Sequence, residues 1–359
     1  MDSDRQASVR NKEKPVRSFD SLRLNPLKIG GIQVANRVFL APMSGVTDAP
    51  FRRLASALGA GLVVSEMTAS DDLANGRKMS RLRCEASGIG PHVVQLAGCE
   101  PRWMAEGARI AEAAGADVID INMGCPARHV TGGQSGSALM RDLHHAVRLI
   151  DATIGAVQVP VTLKMRLGWD ERSLNAPELA RRAEASGVQL ISVHGRTRCQ
   201  FYKGAADWRA VRAVREAIRI PLVVNGDITS FDKAVAALEA SGADAVMVGR
   251  GAQGQPWLPG QIGRRLETGV TEAPPSLVEQ LRHIRTLYDE ICLHYGLRIG
   301  LRHARKHLGW ALDIAASCSQ VPAAVLKSWR GKILTTEDPQ TVQRSLGEAF
   351  DDFAWEAVA

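Results

Sequence analysis

The chain has 359 residues, with 45 Lys and Arg against 38 Asp and Glu, and a formal net charge of +7. Its 45% hydrophobic and 23% charged residues exclude wholesale disorder, and no apolar run approaches the roughly 18 residues that span a bilayer. Six dispersed cysteines without a CxxC pair exclude a disulfide-stapled secreted scaffold and indicate reduced thiols in the cytoplasm. The basic balance permits a polyanionic partner without requiring one.

The first 20 residues mix charged and polar side chains and lack the apolar core of a secretory signal, so we expect a flexible tail there. Between residues 21 and 270 a sequence motif recurs, the recurring phrase of this chain. In it a helical pattern ends in Gly, and a short run of mainly β-branched residues follows directly. Its copies, starting at residues 56, 112, 184 and 239, are SALGAGLVVSE, EAAGADVIDIN, EASGVQLISVHG and EASGADAVMVG. Each Gly is predicted to end its helix in the left-handed conformation.

Eight apolar runs are predicted to be strands, and they lie near residues 38, 62, 91, 118, 160, 190, 221 and 245. Continuous hydrophobicity indicates strands buried on both faces, and the helical patterns between them indicate parallel pairing through right-handed crossovers. The pattern predicts an α/β fold, a (β/α)8 TIM barrel over residues 21–270. An open doubly wound sheet is the alternative, and both folds place a site at the carboxyl ends of the strands.

Beyond residue 270 the repeat stops, and TEAPPS is typical of a linker. Helical patterns follow at residues 276–296, 298–314, 320–334 and 338–357, which predicts a C-terminal all-α helical bundle over residues 276–359. The repeat and the bundle therefore define two domains.

The second of these helical patterns carries a run of basic residues. At steps of three and four residues stand Arg298, Arg302, His303, Arg305, Lys306 and His307, which we predict to line one side of a helix. Trp310 and Trp329 offer surface on which RNA bases stack. The alternative is a solvated basic face over a core that contains the tryptophans.

Chemistry-bearing or small residues end most of the predicted strands, where barrel enzymes keep their active sites. They are Pro42, Met43, Ser44, Gln95, Asn122, Cys125, Lys164, Arg166, His194, Asn225, Gly226, Asp227, Gly249 and Arg250. Lys164 interrupts an apolar strand, so its ammonium needs a buried partner, either a bound anion such as a reduced flavin or an internal ion pair. The loops NGDIT and GRGAQG, with Arg250, predict a phosphate site.

Residues 249–254 also fit the dinucleotide pattern GxGxxG. We set it aside because it stands on the last repeat instead of opening a βαβ unit. Cys125 begins a Gly-rich loop that runs to Met140. A cysteine thiol is mostly protonated at neutral pH and can donate a proton. The alternative is a buried inert cysteine, a description we expect to fit the other five.

Longer motifs carry a resemblance to a known family. They are APMSGVTD (41–48), DINMGCPARHVTGGQSGSALM (120–140), LKMRLGWD (163–170), HGRTRCQFYKG (194–204), NGDI (225–228) and GRGAQGQPW (249–257). Over residues 27 to about 335 the chain resembles the tRNA-dihydrouridine synthases, above all the bacterial B-type branch that is also described as nitrogen-regulation related. The family commonly has Ala where Ser44 stands.

The resemblance implies an FMN-dependent, NADPH-driven reduction of the C5–C6 double bond of a D-loop uridine in tRNA. It implies FMN contacts from Pro42, Met43, Ser44, Gln95, Lys164, His194, Asn225, Gly226, Asp227, Gly249 and Arg250. Cys125 would give a proton to C5, and hydride from reduced FMN would reach C6. Asn122 and Arg166 are expected near the uracil. No metal is expected, and the protein is expected to be a monomer.

The helical tail would hold the tRNA phosphates with Arg298, Arg302, Arg305 and Lys306. Two other functions fit part of the pattern. A flavin barrel that acts on a free pyrimidine, of dihydroorotate or dihydropyrimidine dehydrogenase type, would share the strand-end residues but has no use for the tail. A non-catalytic RNA-binding regulator would use the tail and keep the barrel as a scaffold.

Overall fold

The structure is a computed structural model that describes residues 26–356, so the tail expected at residues 1–20 lies outside the described part. The strands are β1 Lys28–Ile29, β2 Ile32–Gln33, β3 Val38–Leu40, β4 Leu62–Val63, β5 Thr68–Ala69, β6 Val93–Ala97, β7 Val118–Met123, β8 Val161–Arg166, β9 Leu190–His194, β10 Leu222–Asn225 and β11 Ala245–Val248.

The helices are α1 Ala49–Ala57, α2 Ser70–Ala74, α3 Lys78–Cys84, α4 Pro101–Ala113, α5 Arg128–Gly132, α6 Leu143–Ile154, α7 Ala176–Ser186, α8 Trp208–Ala217, α9 Phe231–Ser241, α10 Leu258–Thr268, α11 Leu277–Tyr295, α12 Leu297–Cys318, α13 Ala323–Thr335 and α14 Pro339–Glu356. Short 3-10 turns cover Gly136–Arg141 and Arg250–Ala252.

The predicted TIM barrel is confirmed. The strands pair in parallel in the order β4-β3-β11-β10-β9-β8-β7-β6-β5, and a parallel bridge between Val64 and Val93 joins the two ends of the sheet. All eight predicted strands are present. The structure adds the two-residue β5, so the second barrel strand is broken in two, and it adds the antiparallel pair β1 and β2 ahead of the barrel.

Local sequence sets where the barrel helices begin and end. Asp142 and Asp207 accept backbone N–H bonds at the starts of α6 and α8, as helix-capping carboxylates do. The glycines of the recurring phrase all have positive φ, at +97°, +91°, +109° and +67°. They are Gly59, Gly115, Gly187 and Gly242. Only Gly adopts the left-handed backbone conformation without steric strain, so each helix ends where the recurring sequence predicts.

An apolar plug closes one end of the barrel. Leu27, Ile29 and Val34, in and beside the β1–β2 pair, cluster with Val93 and Val118, which begin their strands. The amino ends of the strands are therefore sealed by hydrophobic packing. The carboxyl ends are left for polar side chains.

The four tail helices lie close to their predicted bounds. α11 and α12 pack side by side, and α11 also packs on barrel helix α1. At this junction the rings of Phe51 and His307 are 5.3 Å apart, and Arg53 forms a 2.8 Å ion pair with Glu290. Among residues 26–356, no helix is both long and apolar enough to cross a membrane.

Candidate active site

We call the carboxyl-terminal end of the barrel strands the barrel mouth. A buried chain of hydrogen bonds forms its floor. Gln95 Nε2 donates to Asp120 Oδ2 at 2.6 Å, and Thr162 donates to the other oxygen of Asp120 at 2.6 Å. Asn122 Nδ2 in turn donates to Gln95 Oε1 at 2.8 Å. Burial raises the pKa of Asp120, although these hydrogen bonds act against the rise. The chain fixes the orientation of the Gln95 and Asn122 amides.

Cys125 lies directly beyond this floor. Its backbone N–H donates to Asn122 Oδ1 at 2.9 Å, and Ser137 donates to its carbonyl oxygen through both N and Oγ, at 3.1 and 2.8 Å. Gly136 has φ +60°, and a Cβ there would come within 2.9 Å of the Cys125 carbonyl oxygen. The Gly-rich loop is therefore packed directly against the cysteine, as its glycines predict.

The thiol is free and half-buried. It lies within electrostatic range of Lys164 and Arg166. The expectation that the other five cysteines are buried holds for Cys84 and Cys292, whereas Cys99 is only half-buried and the remaining two are exposed. Cys199 is exposed in the turns after β9, and Cys318 is exposed at the last residue of α12.

Lys164 is a partly buried cation with a neutral partner. Its Nζ donates to Asn225 Oδ1 at 3.3 Å, and Asn225 Nδ2 donates to the Met247 carbonyl at 2.7 Å. Burial, reinforced by the charge of Arg166, lowers the pKa of Lys164 to about 8. Within residues 26–356 no carboxylate lies at ion-pair distance from Lys164. The geometry therefore favours a bound anion over an internal ion pair.

Arg166 ties the loops of the mouth together. Its Nε donates to the Gly124 carbonyl at 2.7 Å, and its Nη1 donates to the carbonyls of Thr197 and Phe201, each at 2.9 Å. The side chain is buried, and its guanidinium lies 5.6 Å from the centre of the Tyr202 ring. Its predicted contact with uracil remains a prediction.

His194 is surrounded by cations. Its pKa lies well below 6.5 because of burial and then the charges of Arg166, Lys164, Arg196 and Arg250. The imidazole is therefore neutral at neutral pH. Arg196 and Arg250 both lie beside the Asp227 carboxylate, so the four cations keep a reduced but still positive net charge, which attracts an anionic ligand.

Arg196, which sequence reasoning did not single out, pairs with Asp227. Its two terminal nitrogens donate to the two carboxylate oxygens at 3.0 and 2.6 Å. Arg250 is only 3.4 Å from the same carboxylate and is half-exposed. Arg196 stands in HGRTR two residues after His194, and this proximity was the only signal in the sequence.

Residues beyond β3 line the other side of the mouth. A Cβ placed on Gly249 would lie 3.9 Å from Met43 Sδ, so Met43 flanks the loop after β11, with Pro42 and Ser44 next to it in the chain. Asp48 and Glu66, which sequence reasoning missed, are buried here, and Glu66 accepts a 2.5 Å bond from the Gly45 N–H. Burial raises the pKa of Asp48 to about 6.

The basic residues of α12 do not share one side. Arg298 and Arg302 are exposed, whereas Arg305 lies 3.9 Å from Glu337 and is two-thirds covered. Lys306 points toward the barrel mouth, with its Nζ 3.5 Å from where a Cβ on Gly45 would lie. His307 is buried against α1, where burial lowers its pKa to about 3. The prediction is thus wrong for His307, which serves the domain junction.

The tail tryptophans are engaged inside the domain. Trp329 Nε1 donates to Asp352 at 2.7 Å, and Lys332 Nζ lies 4.7 Å from the centre of its ring. Trp310 meets the His307 ring edge-on at 5.4 Å. Both tryptophans are half-buried, so each packs against neighbours in the domain and keeps part of its ring exposed.

The sealed amino end and the polar, cationic carboxyl end define a TIM-barrel enzyme with its site at the strand ends. A profile of the dihydrouridine synthase family matches residues 39–352, so the chain belongs to that family. The predicted resemblance is confirmed.

Curated relatives agree along most of the chain. A probable tRNA-dihydrouridine synthase of Rhizobium leguminosarum bv. phaseoli is 55% identical over 89% of this chain and 97% of its own length. One from Rickettsia conorii is 49% identical over 90% and 96%. A tRNA-dihydrouridine synthase B of Xanthomonas axonopodis pv. citri is 48% identical over 79% and 86%.

Solved structures are similar in fold. A 2-naphthoyl-CoA reductase superposes with a TM-score of 0.54 at 14% identity, covering 70% of this chain and 53% of its own. A 6-hydroxypseudooxynicotine amine oxidase from Pseudomonas geniculata N1 gives 0.53 at 16% identity, covering 71% and 51%. At these identities the likeness concerns the fold alone.

Proposed function

We propose that the chain is a tRNA-dihydrouridine synthase that uses FMN to reduce a D-loop uridine. The observation that carries the proposal is the positive charge of Lys164, Arg166 and Arg250 around a neutral His194, because Lys164 and Arg166 lie within electrostatic range of Cys125. An anionic cofactor and a proton donor are what the saturation of a pyrimidine double bond requires.

The residues at the mouth fit a flavin mononucleotide. Lys164 forms no ion pair with a carboxylate of the described residues, and it suits the electron-rich edge of a reduced isoalloxazine. Arg250 is half-exposed and suits the phosphate. Gly226 has φ +117°, and a side chain there would meet His194 at 2.8 Å, so only glycine lets this backbone pack against the imidazole.

The other predicted FMN contacts fall into two groups. Gln95 and Asn225 are buried beside Lys164 and Asn122, where they present oriented amides. Pro42, Met43, Ser44 and Gly249 surround the mouth between β3 and β11. We infer that Asp227 contributes through its backbone, because both of its carboxylate oxygens are held by Arg196.

The chemistry that reduced FMN supplies, when bound, is a hydride for C6 of the uracil. Cys125 holds a proton on Sγ and delivers it to C5, so the double bond gains a hydride and a proton and the thiolate is reprotonated from solvent. Asn122 keeps the cysteine backbone in place through its 2.9 Å bond. Lys164 stabilises negative charge that develops on the uracil carbonyls. We take NADPH as the electron source.

The tail is proposed to hold the tRNA. Arg298 and Arg302 are exposed and suit phosphates, while Lys306 reaches the mouth, where the target nucleotide must arrive. The C5–C6 bond of a base inside a folded tRNA arm is inaccessible, so the uridine has to be splayed out into the mouth. A free pyrimidine would not use these side chains.

The test is dihydrouridine formation by the purified protein with NADPH. We expect bound FMN in the isolated protein and turnover of tRNA from cells that lack this protein. Free uridine should not be reduced at a comparable rate. Reduction of free uracil or orotate with no activity on tRNA would point instead to a dehydrogenase of free pyrimidines. Flavin-free protein that still binds tRNA would point to a regulator.

A further inference from the structure

Arg196 is a buried cation at the mouth for which neither the hydride nor the proton step has a use. We propose that Arg196 is a positioning residue, which holds the Asp227 carboxylate so that Arg250 stays free to bind the phosphate of the cofactor. The inference rests on the proposed function, because it concerns the flavin phosphate.

The first observation is the number of bonds that Arg196 makes. Besides its two bonds to Asp227, its Nη2 donates to the Gly204 carbonyl at 2.6 Å and its Nε donates to the Lys203 carbonyl at 3.2 Å. Its Nη1 also lies 3.3 Å from His194 Nε2. A planar guanidinium with 1% exposure and this many partners is fixed in place.

The second observation is that Asp227 is held as an anion. Burial acts to raise its pKa, but bonds from Arg196 and the Ala206 N–H, which donates at 2.8 Å, keep that pKa below its ordinary value. A carboxylate so close to a phosphate site would repel the phosphate unless its charge were neutralised. Arg196 supplies that neutralisation through a bidentate pair.

The third observation is that Arg250 lies farther than Arg196 from the same carboxylate. Its Nη2 is 3.4 Å from Asp227 Oδ1, against 3.0 Å for Arg196 Nη1. The Arg250 side chain is 52% exposed, and its guanidinium lies 4.8 Å from the centre of the Tyr202 ring. An arginine held by a carboxylate has fewer N–H donors and less positive charge left for a phosphate. The unequal sharing therefore leaves Arg250 available.

Removing Arg196 has a specific consequence. Asp227 either recruits Arg250 or stays as an unpaired negative charge, and both outcomes weaken phosphate binding. Neither outcome changes Lys164, which we propose faces the isoalloxazine ring. Riboflavin, which is FMN without its phosphate, is therefore the ligand that separates an electrostatic role from a purely structural one.

The experiment titrates flavin-free protein with FMN and with riboflavin and follows quenching of flavin fluorescence. Arg196→Met should lower FMN affinity by about tenfold or more, while riboflavin affinity changes by less than about threefold. Adding Asp227→Asn to Arg196→Met should restore most of the FMN affinity. Asp227→Asn alone should raise the preference for FMN over riboflavin, and it keeps the inference testable if Arg196→Met does not fold.

The matched control is Arg215→Met, which breaks a 2.7 Å ion pair with Asp244 near the sealed end of the barrel and should leave the FMN preference unchanged. Equal losses for FMN and riboflavin in Arg196→Met, or no rescue by Asp227→Asn, would overturn the positioning role. A wild-type protein that binds neither flavin would instead overturn the proposed function, and this inference with it.

Discussion

The barrel mouth and the helical tail both carry basic side chains, but they hold them in different ways. At the mouth, Arg166 and Arg196 are buried and each donates to several fixed acceptors. On α12, Arg298 and Arg302 are exposed. Buried, multiply bonded cations fix the orientation of a small ligand, whereas exposed cations attract a polyanion without specifying its sequence. The two regions should therefore respond differently to substitution, salt and pH.

The largest effect should come from the mouth. Cys125→Ala removes the proton donor, so we expect dihydrouridine formation to fall by about 100- to 10,000-fold while FMN remains bound. The initial rate with tRNA and the flavin absorbance measure the two properties separately. Cys199→Ala, at an exposed cysteine, is the control and should be unaffected. Full activity in Cys125→Ala would remove this thiol from the mechanism.

A smaller effect at the mouth should depend on pH. The pKa of Lys164 is about 8 in the ligand-free protein, so its positive charge is lost as the pH rises through that value. We expect FMN affinity to fall over the same range. Lys164→Met should bind FMN weakly at all these pH values, without the fall. Fluorescence titration from neutral to alkaline pH checks this, and an identical pH profile in the variant would contradict it.

The tail should respond to salt. Arg298→Ala and Arg302→Ala should each weaken tRNA binding modestly and reduce the slope of log affinity against log salt by about 1, because each is proposed to contact a phosphate. Binding measured at several salt concentrations gives the slope. Arg109→Ala, on the barrel helix α4, removes an exposed arginine of the same kind and serves as the control. Unchanged slopes would assign tRNA binding to another surface.

The smallest effect concerns stability. The folded protein lowers the pKa of Lys164 from 10.5 to about 8, so the unfolded chain binds more protons between these values. Charged Lys164 therefore costs folding free energy below about pH 8, and this cost disappears as the pH approaches 10.5. Flavin-free Lys164→Met should melt at a higher temperature than wild type at neutral pH, and the difference should shrink at alkaline pH. A constant difference would argue against the shifted pKa.

The sequence predicted the parts of the fold that repeat. The apolar strands and the left-handed glycines stand in local patterns, and the structure has them where expected. Strands β1, β2 and β5 have two residues each, which is too short for a hydrophobic pattern to be recognised in the sequence. His307 follows the same steps as the arginines, but the face that packs on Phe51 depends on a helix some 250 residues earlier in the chain.

The residues of the candidate site also fall into two groups, those that local sequence could indicate and those whose role depends on distant partners. Cys125 and Lys164 could be singled out because a cysteine beside a Gly-rich loop and a lysine inside an apolar strand are locally unusual. Arg196 could not be, because its importance comes from Asp227, which lies 31 positions further along the chain. Asp120 likewise looks like an ordinary strand residue until Gln95 and Thr162 are seen to converge on it.

The short loop after β11 contributes to two regions, the barrel mouth and the contact with the helical tail. Arg250 faces the mouth, and four residues later a side chain on Gly254 would collide with the Trp310 carbonyl of α12. Surface loops usually accept insertions. Here one added residue would displace either Arg250 from the mouth or Gly254 from its contact with α12. The length of this segment is therefore as constrained as its composition.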